Sequence, residues 1–225
     1  MRCRGPKKYD PPYIQTDNEY YYHIKSPKNP SLESEELLLN HLNAFEKFAM
    51  EPYAHRRDEI TNWLDVDDYI LCYWVHEYSK NEDGNYARSV FMTWKKGEPI
   101  HFGPLWDFDL GFGNASREMN KNPEDWYIRR YRLNSYIMTN TLVNEAATNY
   151  WNEHRETFKA LIDSVPVYRA IIDKAIKNEY RRWPVMQNTE NWALKDPYDS
   201  YDEAVETMVD WMKKRYEWID NEINN

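Results

Sequence analysis

The chain has 225 residues, enough for one substantial domain and a small appendage. Hydrophobic residues make up 41% and charged residues 30%, with a mean hydropathy of -0.96, so a core fits beneath a strongly polar surface. The net charge of -9 argues against a general nucleic-acid partner, and no apolar run approaches the roughly 20 residues that span a bilayer.

Residues 1–19 are rich in Pro, Lys and Asp and show no period. They read as an irregular lead-in or tail without the apolar segment of a signal peptide. Tyr20 to Lys25 is β-prone and ends at Ser26-Pro27. Such a strand needs a partner, and none is visible upstream, so the chain is expected to begin partway through a fold. Residues 31–50 form a helix, with Ser31 as N-cap, Glu33, Glu35 and Glu36 in the first turns, and Leu38, Leu42, Phe45 and Ala49 at helical spacing. Asp65 caps a second helix that runs to about Lys80 on an apolar face of Tyr69, Ile70, Tyr73, Trp74 and Tyr78. Cys72 lies within it as a buried thiol, and Cys72 with Cys3 makes neither a disulfide framework nor a zinc site.

Residues 81–85 are a loop by composition. Val90–Trp94 and Pro99–Phe102 suit a hairpin around Lys96-Gly97. Residues 115–130 are polar and irregular, and the rest is helical over roughly 134–142, 145–158, 166–182 and 200–223. Pro184 stops the third of these, and Asp199 or Ser200 caps the last. Lys95-Lys96 and Arg129-Arg130 are the small basic clusters, each expected to be a solvated face. The 19 Tyr and 10 Trp fit a helical core packed with large aromatics, with a carbohydrate platform as the other reading. The six histidines show no ligand spacing.

The most informative stretch is residues 103–114, Gly-Pro-Leu-Trp-Asp-Phe-Asp-Leu-Gly-Phe-Gly-Asn. In a strand, Asp107 and Asp109 would share a face and offer two hard oxygen ligands of the kind Mg²⁺ or Mn²⁺ favours. A helix, a loop carrying Asp83, a hairpin and then these aspartates follow the order of a protein-kinase catalytic core, in which one carboxylate accepts the hydroxyl proton and another grips the metal on the phosphates. Asp83 also suits a plain turn, since Asp-Gly-Asn is good turn chemistry. Asp107 and Asp109 also suit a solvated strand end, and Asn114 suits either a contact to the site or a turn. A glycoside hydrolase would need its two acids ~5–9.5 Å apart across a cleft, which adjacent aspartates fit less well.

Tyr22-His23-Ile24-Lys25-Ser26-Pro27, Phe45-Glu46, Leu64-Asp65-Val66-Asp67, Asn81-x-Asp83, the 103–114 segment, Arg181-Arg182-Trp183-Pro184 and Trp211 to Ile219 together resemble the spore-coat protein H (CotH) kinase family over residues 20–223. The resemblance implies an α+β, mostly α-helical fold: an atypical protein-kinase-like C-terminal lobe whose short β-hairpin carries the metal-site aspartates. On this reading residues 20–225 are the C-terminal portion of the kinase-like domain, with the nucleotide lobe expected upstream. The implied activity is phosphate transfer from ATP to a protein serine or threonine, with Mg²⁺ or Mn²⁺ as cofactor and nucleotide and protein as partners. The alternative is a non-catalytic surface or coat-assembly module that keeps the fold. Carried over, Asp83 is the catalytic aspartate, Asp107 the metal aspartate and Asp109 its companion. Position 88 is Arg where kinases carry a second metal-binding Asn, and Asn85 and Ser89 are the nearest substitutes. Trp106 is expected beneath the aspartates, and Lys25 is the candidate lysine for the nucleotide. Asn81 belongs to the same loop motif. The family also implies an extracellular or cell-surface location in a bacterium.

Overall fold

The computed structural model describes residues 2–3, 12–51, 58–85, 88–183, 186 and 196–225. It is mostly helical with short antiparallel strands. Two compact units divide it: Met1–Glu77, Asp83–Asp107 and Trp126–Asn149 in one, and Tyr78–Glu82, Phe108–Asp125 and Tyr150–Asn225 in the other.

The first unit begins with β1 (Arg2–Cys3), β2 (Tyr13–Gln15) and β3 (Tyr21–His23). The partner that the sequence did not reveal for the Tyr20–Lys25 strand is therefore present upstream. β2 and β3 pair antiparallel, with Ile14 opposite Tyr22. With β4 (Val90–Thr93) and β5 (His101–Phe102) they form a sheet of order β2-β3-β1-β4-β5. The expected hairpin is β4–β5, with Met92 opposite Phe102 and Gly97 at φ +84° in its turn. Glycine suits that position because it lacks the Cβ that disfavours the left-handed region.

Helix α1 (Leu32–Met50) starts where Ser31 accepts the Ser34 N–H, as its cap chemistry dictates. The buried Glu46 ties α1 to the β2–β3 hairpin by accepting from Tyr22 Oη at 2.8 Å and Asn18 Nδ2 at 3.1 Å, and burial pushes its carboxyl pKa up. Helix α2 (Val66–Ser79) is capped by Asp65, whose Oδ1 accepts the Asp68 N–H at 3.0 Å. Its expected apolar face is buried: Tyr69, Ile70, Tyr73, Trp74 and Tyr78. Cys72 is a free, buried thiol whose pKa burial pushes up to about 12.

After α3 (Glu118–Lys121) and α4 (Arg132–Ile137), α5 spans Thr141–Ile171 without the gap expected near residues 159–165. Pro166 lies inside α5, and the break falls at Ile172 instead. Helix α6 is Asp173–Arg182, and Pro184, its expected stop, lies outside the described residues. Helix α7 (Tyr201–Asn224) is capped by Ser200, which accepts the Glu203 N–H.

Buried cations hold the second unit together. Lys80 Nζ donates to the Asn122 carbonyl at 2.7 Å and to the Glu124 carbonyl. Arg215 Nη1 donates to the Pro123 and Asp125 carbonyls at 2.8 and 2.7 Å. Both side chains are almost wholly inaccessible. A charge is tolerated there because several carbonyl dipoles converge on it. Arg129, expected on a solvated face, instead lies 3.7 Å from the Trp126 ring centroid and donates to Tyr73 Oη at 2.8 Å.

Candidate functional site

Asp83 and Asn85 sit in the turn that follows α2. The turn is packed so tightly that a Cβ on Gly84 would lie 2.3 Å from His76 Nδ1. Asp83 is half-buried, and its carbonyl accepts the Arg88 N–H at 3.1 Å. Asn85 is buried and donates from Nδ2 to Tyr127 Oη at 2.8 Å. Its Oδ1 is buried with no hydrogen-bond partner. Tyr127 is fixed in turn by Glu77, whose two carboxylate oxygens accept the Tyr127 and Arg129 N–H groups at 2.8 and 3.0 Å.

Ser89 is buried at the start of β4 and donates from Oγ to Asp107 Oδ2 at 2.9 Å. Ser89 has φ +56° and Asp107 φ +68°. Both ends of this bond therefore occupy the left-handed region, which costs a non-glycine residue on the order of 1–2 kcal/mol. Such conformations persist where surrounding structure over-determines them, and they cluster at working sites.

The Trp-Asp-Phe-Asp stretch leaves β5 as a loop, not as a strand. The same-face argument from strand alternation does not describe it, because the left-handed Asp107 breaks the alternation. Asp107 is exposed in the first unit. Asp109 is exposed in the second, where its carbonyl accepts from Asn114 Nδ2 at 2.7 Å. Asn114 thus caps this turn, and Asn81, buried in the second unit, immediately precedes the Asp83 turn in sequence. Trp106 packs edge-on against Phe91, with centroids 6.2 Å apart, and remains 56% exposed. It forms no buried floor.

Two cavities flank these segments, one in each unit. In the first, an open cleft of about 530 Å³ is lined by residues that include Ile24, Leu38, Met92 and Trp94, with Lys25 at the wall. Phe91, the partner of Trp106, lines the same cavity. In the second, about 500 Å³ lies between the Asp109–Asn114 turn and α7, bounded by Tyr198, Tyr201, Met208 and Trp211.

The structure thus joins Ser89 to Asp107 and leaves an unmatched oxygen on Asn85. It also reveals a grouping that sequence spacing hid. His101 Nδ1 lies 2.6 Å from Asp68 Oδ2 and 3.6 Å from Asp65 Oδ2. His101 stands 33 residues beyond Asp68 in sequence, so no local signal linked it to the two aspartates. The hydrogen bond to Asp68 raises the His101 pKa.

Among the described residues, no helix is long and apolar enough to cross a membrane. No curated protein and no solved structure matches the chain. The family model described as CotH kinase protein matches residues 2–219, nearly the whole length, so the chain belongs to the CotH kinase family.

Proposed function

We propose that the chain carries the catalytic and metal-holding part of a CotH-type kinase that moves phosphate from ATP to a serine or threonine hydroxyl of a protein. The observation that best supports this reading is the pinned Asp107: a strained backbone, a buried serine donating to its carboxylate, and a buried Asn85 oxygen without a partner in the same unit. Oxygen donors of this kind fit Mg²⁺ or Mn²⁺. Asp107 and Asn85 would hold the ion; Asp109, the companion aspartate implied by the family resemblance, belongs to the second unit. When bound, the cation neutralises charge on the phosphates.

Asp83 accepts the proton of the attacking hydroxyl. Ser89 orients Asp107, and within the second unit Asn114 shapes the turn that follows Asp109 while Asn81 precedes the Asp83 loop in sequence. The apolar cavity beside Lys25 takes the nucleotide, with Lys25 toward its phosphates and Trp106 at its edge. Residues 20–225 form the kinase-like domain. An extracellular or surface location accompanies the family's association with the spore coat.

Calorimetry of ATP binding with and without Mn²⁺ tests this reading. Binding should require the cation, and Asp107→Ala should weaken it by on the order of 100-fold. Absence of any cation-dependent ATP binding would favour a non-catalytic assembly module. Binding unchanged in Asp107→Ala would remove this aspartate from the metal site.

A further inference from the structure

Asp65, Asp68 and His101 form a cluster in the first unit that the kinase chemistry leaves unused. Their ligand atoms all lie within 4.8 Å of one another. Each sits on a fixed element: Asp65 caps α2, Asp68 is in its first turn, and His101 opens β5. The two segments are stapled by backbone bonds, Asp65 N–H to the Ile100 carbonyl at 2.9 Å and Ile100 N–H to the Trp63 carbonyl at 2.8 Å. Leu64 and Ile100, which bridge there, are wholly buried. The cluster is therefore positioned by the core and not by flexible side-chain choice.

Two carboxylate oxygens converge on one imidazole nitrogen. A single proton on Nδ1 can serve only one of them, which leaves a second negative charge close by. No Lys or Arg among the described residues forms an ion pair with either aspartate. Donors around a first-row metal ion bound at 2.0–2.2 Å stand roughly 3 Å apart. The observed separations of 2.6 and 3.6 Å bracket that value. The three side chains are 35–42% exposed, so an ion and its remaining water ligands can enter.

We propose that Asp65, Asp68 and His101 bind a divalent transition-metal cation, of which Zn²⁺ is the type, separate from the kinase metal at Asp107. One nitrogen and two carboxylate oxygens suit a borderline ion, whereas Mg²⁺ and Ca²⁺ favour oxygen alone. The ion would clamp the start of α2 to β5, the strand that leads into the Asp107 segment.

The test is equilibrium dialysis of the full chain against Zn²⁺ in millimolar Mg²⁺ without nucleotide, read by metal analysis and by the shift in melting temperature. The Asp107→Ala background keeps the kinase site from contributing. One tightly held Zn²⁺ and a raised melting temperature are expected in both wild type and Asp107→Ala. Asp68→Asn and His101→Gln spare the Asp65 cap, and each should weaken Zn²⁺ binding at least tenfold while the apo melting temperature and circular dichroism stay close to wild type. Failure of the wild-type chain to retain Zn²⁺ overturns the proposal. So does retention in His101→Gln equal to wild type. Loss of Zn²⁺ in Asp107→Ala alone assigns the ion to the kinase site and also overturns it. None of these outcomes depends on whether ATP binds.

Discussion

Asp107 and Asp109 stand two residues apart and are held in different ways. In the first unit, Asp107 is gripped by its side chain, through the Ser89 hydroxyl, on a left-handed backbone. In the second, Asp109 has its main chain fixed, through its carbonyl and the Asn114 amide, at the wall of an apolar cavity. The difference teaches that equal spacing does not make equal ligands. One aspartate has an orienting hydroxyl on its carboxylate, and the other belongs to a turn that shapes a cavity. Two turns near them are also secured differently: the Asp83 turn in the first unit by close approach alone at Gly84, and the Asp109–Asn114 turn in the second by close approach with a positive φ at Gly113.

The Asp83 turn is most vulnerable at Gly84. A Cβ there would lie 2.3 Å from His76 Nδ1 and 2.8 Å from Cγ, and His76 is itself buried. Gly84→Ala should cost about 3 kcal/mol, near the upper end for overpacking a filled site. The urea midpoint checks it. An unchanged midpoint would show that the Asp83 turn can move away from α2, which would undo the idea of a rigid first-unit loop.

His76 also sets a pH dependence. Burial pushes its pKa down to about 4, so it stays neutral in the fold where the unfolded chain, near 6.5, takes up a proton. The unfolded state binds more protons between these values, so stability falls as pH drops from about 6.5 toward 4 and the slope ends below that. The contribution is at most about 3–4 kcal/mol, from roughly 1.4 kcal/mol per pKa unit. His101 gives the opposite sign. Its pKa is raised by Asp68, so its contribution is complete below the ordinary histidine value and is lost as pH rises through the folded one. Stability measured against pH in His76→Gln should lose the acid-side slope. A slope identical to wild type would assign it to other groups.

Gly113 probes the second unit. It has φ +87°, and a Cβ would stand 2.8 Å from Trp211 Cδ1. Trp211 is tied down by its indole N–H donating to the Lys121 carbonyl at 2.6 Å. Gly113→Ala should cost about 2 kcal/mol, from positive-φ strain and crowding together. The Trp211 indole N–H resonance should move, and ATP-independent features of the first unit should not. A static indole signal would show that the turn, not the tryptophan, yields.

Local chemistry made much of this fold legible. Ser31, Asp65 and the Asp199-Ser200 pair announced their helices, with Ser200 the cap of the last, because a cap needs only its own side chain and the next turn. The apolar faces and the β4–β5 hairpin followed from periodicity in the same way. Asp83 and Asp107 were marked as candidates by motif order, and Asn85 and Ser89 only as the nearest substitutes that the family resemblance implies, but the Ser89–Asp107 bond and the left-handed backbone were not legible, since aspartate carries no sign of its φ. The β2 partner of β3 was hidden in a short stretch without alternation. The Asp65–Asp68–His101 cluster depends on a parallel bridge between Leu64 and Ile100, and the burial of Lys80 and Arg215 depends on carbonyls of a distant loop. Those features come from tertiary pairing, which spacing along the chain does not encode.

Ser89 separates a stabilising role of its bond to Asp107 from an orienting one. If the Ser89–Asp107 bond exists for stability, its removal should show in unfolding; if it aims a carboxylate, it should show in binding. Ser89→Ala removes the donor and keeps the strain at φ +56°, so it should cost about 1 kcal/mol in the urea midpoint. Ser89→Gly removes the same donor but relieves a left-handed position by about 1 kcal/mol, so its stability should stay close to wild type. Both variants leave Asp107 without its orienting hydroxyl. They should therefore weaken Mn²⁺-dependent ATP binding to the same extent, about tenfold, despite different stabilities. Equal stability losses with undiminished binding would place the bond among packing contacts, and Asp107 would then be held no more purposefully than Asp109.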